Sequence, residues 1–97
     1  MVAYWVAALS ADDMTKLKDY AAQARIAVEK YGGRPLSRLG KFHLLEGEFL
    51  GDKLALIEFD TMEQAVDCYN SPEYQKAKEL RKGKTDAVFF VVEGIEK

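Results

Sequence analysis

The sequence predicts an α+β protein with the ferredoxin-like order of elements, βαββαβ: a four-stranded antiparallel sheet with two helical segments on one face. Two observations lead to this prediction. Each half of the chain reads as strand, helix and strand, and the strand-like segments are apolar on both of their faces. The 97 residues, 48% of them apolar, suit one domain that spans residues 1–97.

The first strand and helix have clear boundaries. Residues 2–9 form a short aromatic and β-branched run that is typical of a strand. Ser10, followed three residues later by Asp13, resembles a capping box and predicts a helix start. Apolar residues then recur at three- and four-residue steps over residues 14–31, which indicates an amphipathic helix. The glycine pair that begins at Gly32 ends it, because glycine accepts the left-handed conformation after a helix.

The central segments predict two more strands and a turn. Residues 34–46 mix apolar and polar types without helical spacing, which favours a second strand, bent at Gly40. Residues 47–52 contain two glycines and predict a turn. Residues 53–59 have good β character and predict the third strand.

The last helical region is predicted to consist of two consecutive segments. Asp60 or Thr61 caps the first of them. Ser71 restarts the helix, since serine is a good cap and the proline that follows it suits the first helical position. Residues 85–93 close the chain as a strand that is apolar at nearly every position.

The two-sided apolar character of the strands predicts a second copy of the chain. A sheet with helices on one face and water on the other should alternate apolar and polar residues, and these strands do not. Helices can cover one face only, and the simplest cover for the other is an identical sheet related by a two-fold axis. We therefore predict a homodimer whose sheets face one another around a partly filled interior. The alternative is a monomer whose 46–52 loop covers this face.

Charge and composition exclude several classes of protein. The net charge of −2 and the pI of about 5.4 argue against a nucleic-acid partner. The apolar run at the N-terminus is too short for a membrane helix and lacks the features of a secretory signal, so we expect no membrane partner and a cytoplasmic location. Cys68 has no disulfide partner within the chain, and a lone cysteine fits a reducing compartment.

Several short motifs, in their order and spacing, resemble the domain-of-unknown-function 1330 family. The matching residues are Ala3-Tyr4-Trp5-Val6, Tyr31-Gly32-Gly33, Leu36-x-Arg38, Leu45-Glu46-Gly47, Ile57-Glu58-Phe59, Tyr69-x-Ser71-Pro72-Glu73-Tyr74, Arg81 and Val91-Val92-Glu93-Gly94. The resemblance covers residues 2–95 and implies a fold similar to the dimeric α/β-barrel superfamily. That superfamily includes cofactor-free monooxygenases, muconolactone-isomerase-like proteins, haem-degrading enzymes and chlorite-dismutase-like proteins. The resemblance implies a dimer and supplies no activity.

Three polar residues interrupt the apolar strands and are candidates for chemistry. Glu58 lies mid-strand, where it acts as a general acid or base or else forms an ion pair with Arg38 or Arg34. Arg38 either holds an anion or carbonyl oxygen of a ligand or is a surface charge of an edge strand. His43 is the only histidine and is a candidate base, with a solvent-exposed strand residue as the alternative. No other ligand type lies at suitable spacing, so the sequence predicts no metal and no cofactor.

Three further residues are candidate ligand contacts. Trp5 and Tyr4 point to opposite faces of their strand, so one of them faces the predicted cavity. An aromatic wall there could stack against a flat ring of a ligand. The alternative for Trp5 is core packing. Tyr74 and Arg81 lie two turns apart on one helix face. They either grip the polar end of a ligand, or Tyr74 packs inward and Arg81 joins a solvated basic face.

The leading hypothesis from the sequence is a small homodimer that binds a small, partly apolar organic molecule between sheet and helices. Glu58, Arg38 and His43 would then be its polar contacts. Two alternatives stay open. One is a cofactor-independent monooxygenase or isomerase with Glu58 or His43 as base, and the other is a non-catalytic dimerisation module with nothing bound inside.

Overall fold

The computed structural model describes residues 1–10, 14–49 and 51–95, apart from the side chain of Met14. Its elements, in chain order, are β1 (Ala3–Ser10), a 3-10 turn (Met14–Leu17), α1 (Lys18–Lys30), β2 (Arg34–Lys41), β3 (Lys53–Phe59), α2 (Met62–Asn70), α3 (Pro72–Arg81) and β4 (Asp86–Glu93). The predicted order of strands and helices is confirmed, with α2 and α3 as the two consecutive segments of the last helical region.

The four strands form one antiparallel sheet in the order β2-β3-β1-β4. The first strand of the chain therefore lies in the interior of the sheet, between β3 and β4. Its register places Trp5 opposite Ile57 on one side and opposite Val91 on the other. This strand order and these crossovers confirm the ferredoxin-like α+β class.

The core lies between one face of the sheet and the helices. Trp5 and Phe59 project from this face and are buried against residues of all three helices, among them Tyr20 of α1, Ala65 of α2 and Tyr74 of α3. Because side chains alternate along a strand, every second residue of β1, β3 and β4 belongs to this core and the intervening ones face away.

Helix α1 is preceded by a single 3-10 turn and ends at a glycine that adopts the left-handed conformation. Asp13, the second residue of the predicted capping box, lies outside the described residues. At the other end, Gly32 has a φ of +76°, and the Gly33 N–H donates to the Val28 carbonyl oxygen at 2.9 Å. This is the left-handed helix ending that the glycine pair predicts.

Helices α2 and α3 begin at side-chain caps. The start predicted at Asp60 or Thr61 lies at Thr61, whose hydroxyl accepts the Gln64 N–H at 3.0 Å. Ser71 ends α2 and caps α3, and its hydroxyl accepts the Tyr74 N–H at 3.1 Å. Each cap satisfies a backbone donor that the helix itself leaves unpaired. None of the helices in the described ranges is long and apolar enough to cross a membrane.

Strand β2 is shorter than the sequence predicts. The strand expected over residues 34–46 ends at Lys41, which pairs with Lys53, the first residue of β3. In the part of the chain that the structure describes, the residues after Lys41 have no partner strand, because β3 begins at Lys53. The bend predicted at Gly40 begins one residue earlier, at Leu39, whose φ is +53°, and the β2–β3 register shifts there.

The second face of the sheet carries no helix among the described residues. Val6 lies at the centre of an apolar row on this face, with Leu56 as its neighbour on β3 and Phe90 as its neighbour on β4. The side chain of Phe90 is 46% exposed, so the described part of the 46–52 loop leaves this half of the face open. An apolar row of this kind is unusual on a surface that faces only water.

Candidate functional site

A cavity of about 290 Å³ lies between the sheet and helix α1. Small side chains form much of its wall: Ala7 and Ala55 are register partners on β1 and β3, and Ala24 lines the cavity from α1. Protein interiors are otherwise close-packed, so larger aliphatic residues at these positions would fill the space. The volume is at the lower end of the range for small-molecule sites.

Aromatic rings form another part of the cavity wall. Trp5, Tyr20, Tyr74 and Phe89 all line it. The rings of Trp5 and Tyr74 meet edge to face, with centroids 5.0 Å apart, and the Trp5 and Phe89 centroids are 5.7 Å apart. Trp5 and Tyr74 are therefore core residues that also line the cavity, and their contact with a ligand stays a prediction.

Two tyrosine hydroxyls meet beside the cavity. The hydroxyl oxygens of Tyr20 and Tyr74 are 3.1 Å apart and form a buried hydrogen bond across 54 positions of sequence. Burial raises the pKa of both phenols, so both are protonated and neutral at neutral pH. The sequence marks Tyr20 only as a member of the buried stripe of α1, and no local signal pairs it with Tyr74.

Arg81 lies behind this tyrosine pair, not in the cavity wall. Its side chain is 9% exposed, and its guanidinium carbon lies 4.7 Å from the ring centroid of Phe89 and 5.7 Å from that of Tyr20. It has no carboxylate partner among the described residues, and its Nε lacks a hydrogen bond there. A buried cation without a counterion is unusual, and its contacts with aromatic rings offset part of the cost. The solvated basic face proposed as the alternative for Arg81 is wrong.

Arg38 lies exposed where the cavity opens to solvent, together with Arg25 and Glu29 of α1. The irregular turn of β2 at Leu39 places both Leu39 and Arg38 along this opening. Neither arginine forms an ion pair with the described residues. The opening therefore carries two free guanidinium groups, which suit an acidic or carbonyl group of a ligand.

Glu58 lies on the other face of the sheet. It is the register partner of Tyr4, whereas the cavity is lined by Trp5 and its neighbours on the opposite face. Its Oε1 accepts from the Nε of Arg34 at 2.9 Å, and Arg34 also bonds Asp60 at 2.9 Å. The expected ion pair thus forms with Arg34 and not with Arg38. Glu58 therefore does not line this cavity, because the strand register turns its side chain to the open face of the sheet. The general-base role that the sequence suggests for a Glu58 facing a partner sheet stays a prediction.

His43 lies beyond the end of β2, in an exposed segment that does not line the cavity. Among the described residues no strand pairs with this part of the chain, so β2 ends before His43 and the side chain stays outside the cavity. Its role as a base stays a prediction. Within the described ranges, no three His, Cys, Asp or Glu side chains come together in a way that could hold a metal ion.

Cys68 is expected to be unreactive in the folded protein. Its side chain is fully buried in α2, and this burial raises the pKa of the thiol to about 12. Since the thiolate is the reactive form, a disulfide reagent at pH 8 should label almost none of the native protein but one thiol per chain in concentrated urea. The chain has one cysteine, so the count is unambiguous. Rapid stoichiometric labelling without denaturant would contradict this burial.

The antiparallel sheet, the helices on one face and the cavity beneath them define a ferredoxin-like α+β protein. The chain belongs to the DUF1330 family, a domain of unknown function whose family model matches residues 2–95. A comparison with curated protein sequences finds no significant match. The family expected from the sequence motifs is thus confirmed.

Solved structures share this fold at low sequence identity. A protein of unknown function from Rhodopseudomonas palustris is 15% identical, with 99% of this chain and 84% of that chain covered and a TM-score of 0.73. SnoaB, a cofactor-independent oxygenase from Streptomyces nogalater, is 7% identical, with coverage of 99% and 95% and a TM-score of 0.71. A dimeric protein of unknown function with a ferredoxin-like fold from Bacteroides fragilis is 15% identical, with 96% of each chain covered and a TM-score of 0.59. At these identities the likeness concerns the fold alone.

Proposed function

We propose that this protein binds a small, partly apolar organic molecule in the cavity between the sheet and α1. The observation that carries the proposal is the distribution of groups around the cavity. Half of its lining residues are alanine or aromatic and four more are aliphatic or proline. Its polar groups are the Tyr20–Tyr74 hydroxyl pair, a serine, and the charged groups that include Arg38 at the opening. This distribution is typical of sites that bind small molecules. A purely structural dimerisation module would be expected to fill this space with side chains.

The proposal includes a homodimer in which the open sheet faces of two copies pack together. The apolar row through Val6, Leu56 and Phe90 supports it, because contact with an identical row would remove that surface from water. The similar protein from Bacteroides fragilis is described as dimeric. The expected compartment is the cytoplasm, where the single cysteine would stay reduced.

An Ala24→Leu substitution is expected to abolish binding of a small aromatic probe such as 4-nitroanisole. The added carbons project into the cavity, whereas the fold needs only modest repacking around a space that was empty. We expect the affinity for 4-nitroanisole, measured by equilibrium dialysis, to fall at least about tenfold. A tenfold change corresponds to about 1.4 kcal/mol of binding free energy.

Ala22→Leu is the matched control for this experiment. Ala22 lies on the same helix, is exposed and does not line the cavity, so it should leave probe affinity unchanged. If both variants bind 4-nitroanisole as tightly as the parent protein, the cavity is not the binding site.

A cofactor-independent oxygenation or isomerisation is the second candidate function. The fold likeness to SnoaB favours it, and the bases proposed from the sequence are Glu58 and His43. Since Glu58 lies on the open face, it would act on a molecule held between the two sheets of the proposed dimer. The test is turnover of quinol-type and lactone substrates. Turnover that is unchanged in Glu58→Gln and His43→Ala would exclude both residues as bases.

A further inference from the structure

The hydroxyl pair of Tyr20 and Tyr74 carries one proton more than the described residues accept. Each phenol has one O–H, and the 3.1 Å hydrogen bond between the two oxygens uses one of these protons. Among the described residues, neither hydroxyl has a further acceptor. A buried donor without an acceptor is unfavourable, so the second proton needs an acceptor that this part of the chain does not provide.

Burial indicates which tyrosine holds the free proton. Both residues line the cavity, but Tyr74 has an exposed fraction of 0%, so donation of its proton to Tyr20 is the arrangement that satisfies it without solvent. Tyr20 keeps 6% exposure and lines the cavity, so its proton can be directed into that space. Burial raises the pKa of both phenols, so both keep their protons at neutral pH.

Arg81 lies beside both hydroxyls and supplies no acceptor for the second proton. A guanidinium group can only donate, so it cannot accept the free proton of either tyrosine. Its charge beside both hydroxyls opposes the rise in their pKa values and makes the Tyr20 hydroxyl a stronger donor. A positive charge near the cavity also favours an acceptor that is itself negative.

We propose that the Tyr20 hydroxyl, oriented by Tyr74 and backed by Arg81, donates a hydrogen bond to a phenolate or enolate oxygen of the bound molecule. This inference rests on the proposed binding function and narrows the ligand to a flat, mostly apolar molecule with one ionisable oxygen. Tyr20 is the contact residue, and Tyr74 and Arg81 are positioning residues.

The test compares 4-nitrophenol, whose phenolate has a distinct absorption band, with 4-nitroanisole, in which that oxygen is methylated. We expect the parent protein to bind 4-nitrophenolate about tenfold more tightly than 4-nitroanisole, and the bound phenol to ionise at lower pH than the free one. Tyr20→Phe should remove this preference and the spectroscopic shift, so that the two probes bind with similar affinity. Arg81→Met should reduce both the preference and the shift.

Two further variants keep the test decisive. Tyr20→Phe leaves the Tyr74 proton without an acceptor, so if this variant fails to fold, the double variant Tyr20→Phe with Tyr74→Phe removes both hydroxyls together. Tyr69→Phe is the matched control, because its ring centroid lies 5.0 Å from that of Tyr74 but the residue does not line the cavity. It should behave as the parent protein does.

The outcomes separate this inference from the proposed function. Equal affinity for both probes in the parent protein, or a phenolate preference that survives removal of the Tyr20 hydroxyl, overturns the inference and leaves the binding function intact. If neither probe binds in the cavity, so that Ala24→Leu has no effect on binding, both the inference and the proposed binding function are overturned.

Discussion

A Phe90→Asp variant is expected to be monomeric at concentrations where the parent protein is a dimer. Phe90 lies on the open sheet face beside Val6, where the partner's sheet would exclude water from it. A carboxylate buried there without a cation loses several kcal/mol of solvation, so the dissociation constant should rise at least about a thousandfold. Light scattering coupled to size exclusion measures this directly.

Ile26→Asp is the matched control for the dimer prediction. Ile26 is 53% exposed, close to the 46% of Phe90, but it belongs to α1 on the other side of the sheet. Both variants replace an apolar residue of similar exposure by aspartate, so Ile26→Asp should leave the dimer intact. A parent protein that is monomeric at micromolar concentration, or a Phe90→Asp variant that stays dimeric, would show that the open face is not the interface.

Trp5→Ala is expected to remove a large part of the folding free energy. Trp5 is buried at the centre of the sheet, and its ring lies within 6.1 Å of the rings of Phe59, Tyr69, Tyr74 and Phe89. Truncation of a buried tryptophan costs about 3–5 kcal/mol, against a total stability of roughly 5–15 kcal/mol for a small domain. The change is measured as a lower urea midpoint by circular dichroism, because the only tryptophan fluorophore is lost.

Trp5→Phe separates the loss of aromatic packing from other effects of the substitution. Phenylalanine keeps a ring at this position and leaves a smaller cavity, so the expected loss of stability is clearly less than for alanine. If alanine lowered the free energy of unfolding by less than about 1 kcal/mol, Trp5 would not be the centre of the core.

The end of α1 and the starts of α2 and α3 were predictable because their causes are local, whereas Ser10, the predicted cap of the first helix, belongs to β1 and α1 begins at Lys18 without a side-chain cap. The Ser71 cap, with proline at the next position, and the Gly32 ending depend on groups within three or four residues along the chain. Thr61 was one of two candidate caps, and its hydroxyl bond to the Gln64 N–H decides between them. Backbone donors and acceptors at helix ends are satisfied by their immediate neighbours, which the sequence displays directly.

The positions of Glu58, His43 and Arg81 were not predictable, because contacts with distant parts of the chain decide them. Alternation along a strand shows that Glu58 and Ile57 point to opposite faces, but not which of these faces meets the helices. Likewise, the end of β2 depends on where β3 begins, so the residues before His43 could not show that the strand stops at Lys41. Arg81 lies in a helix of strongly polar sequence, and only packing against Tyr20 and Phe89 makes it a buried residue.

The sequence by itself determined the order of the elements, the ferredoxin-like class, the family and the two-sided apolar character of the sheet. These follow from periodicity, capping residues and motifs, each of which acts over a few positions. Only the tertiary structure decided which face became the core, where alanines left a cavity, and that Tyr20 and Tyr74 meet there across 54 positions. Such contacts arise from strand register and helix packing, which join distant segments and leave no local pattern.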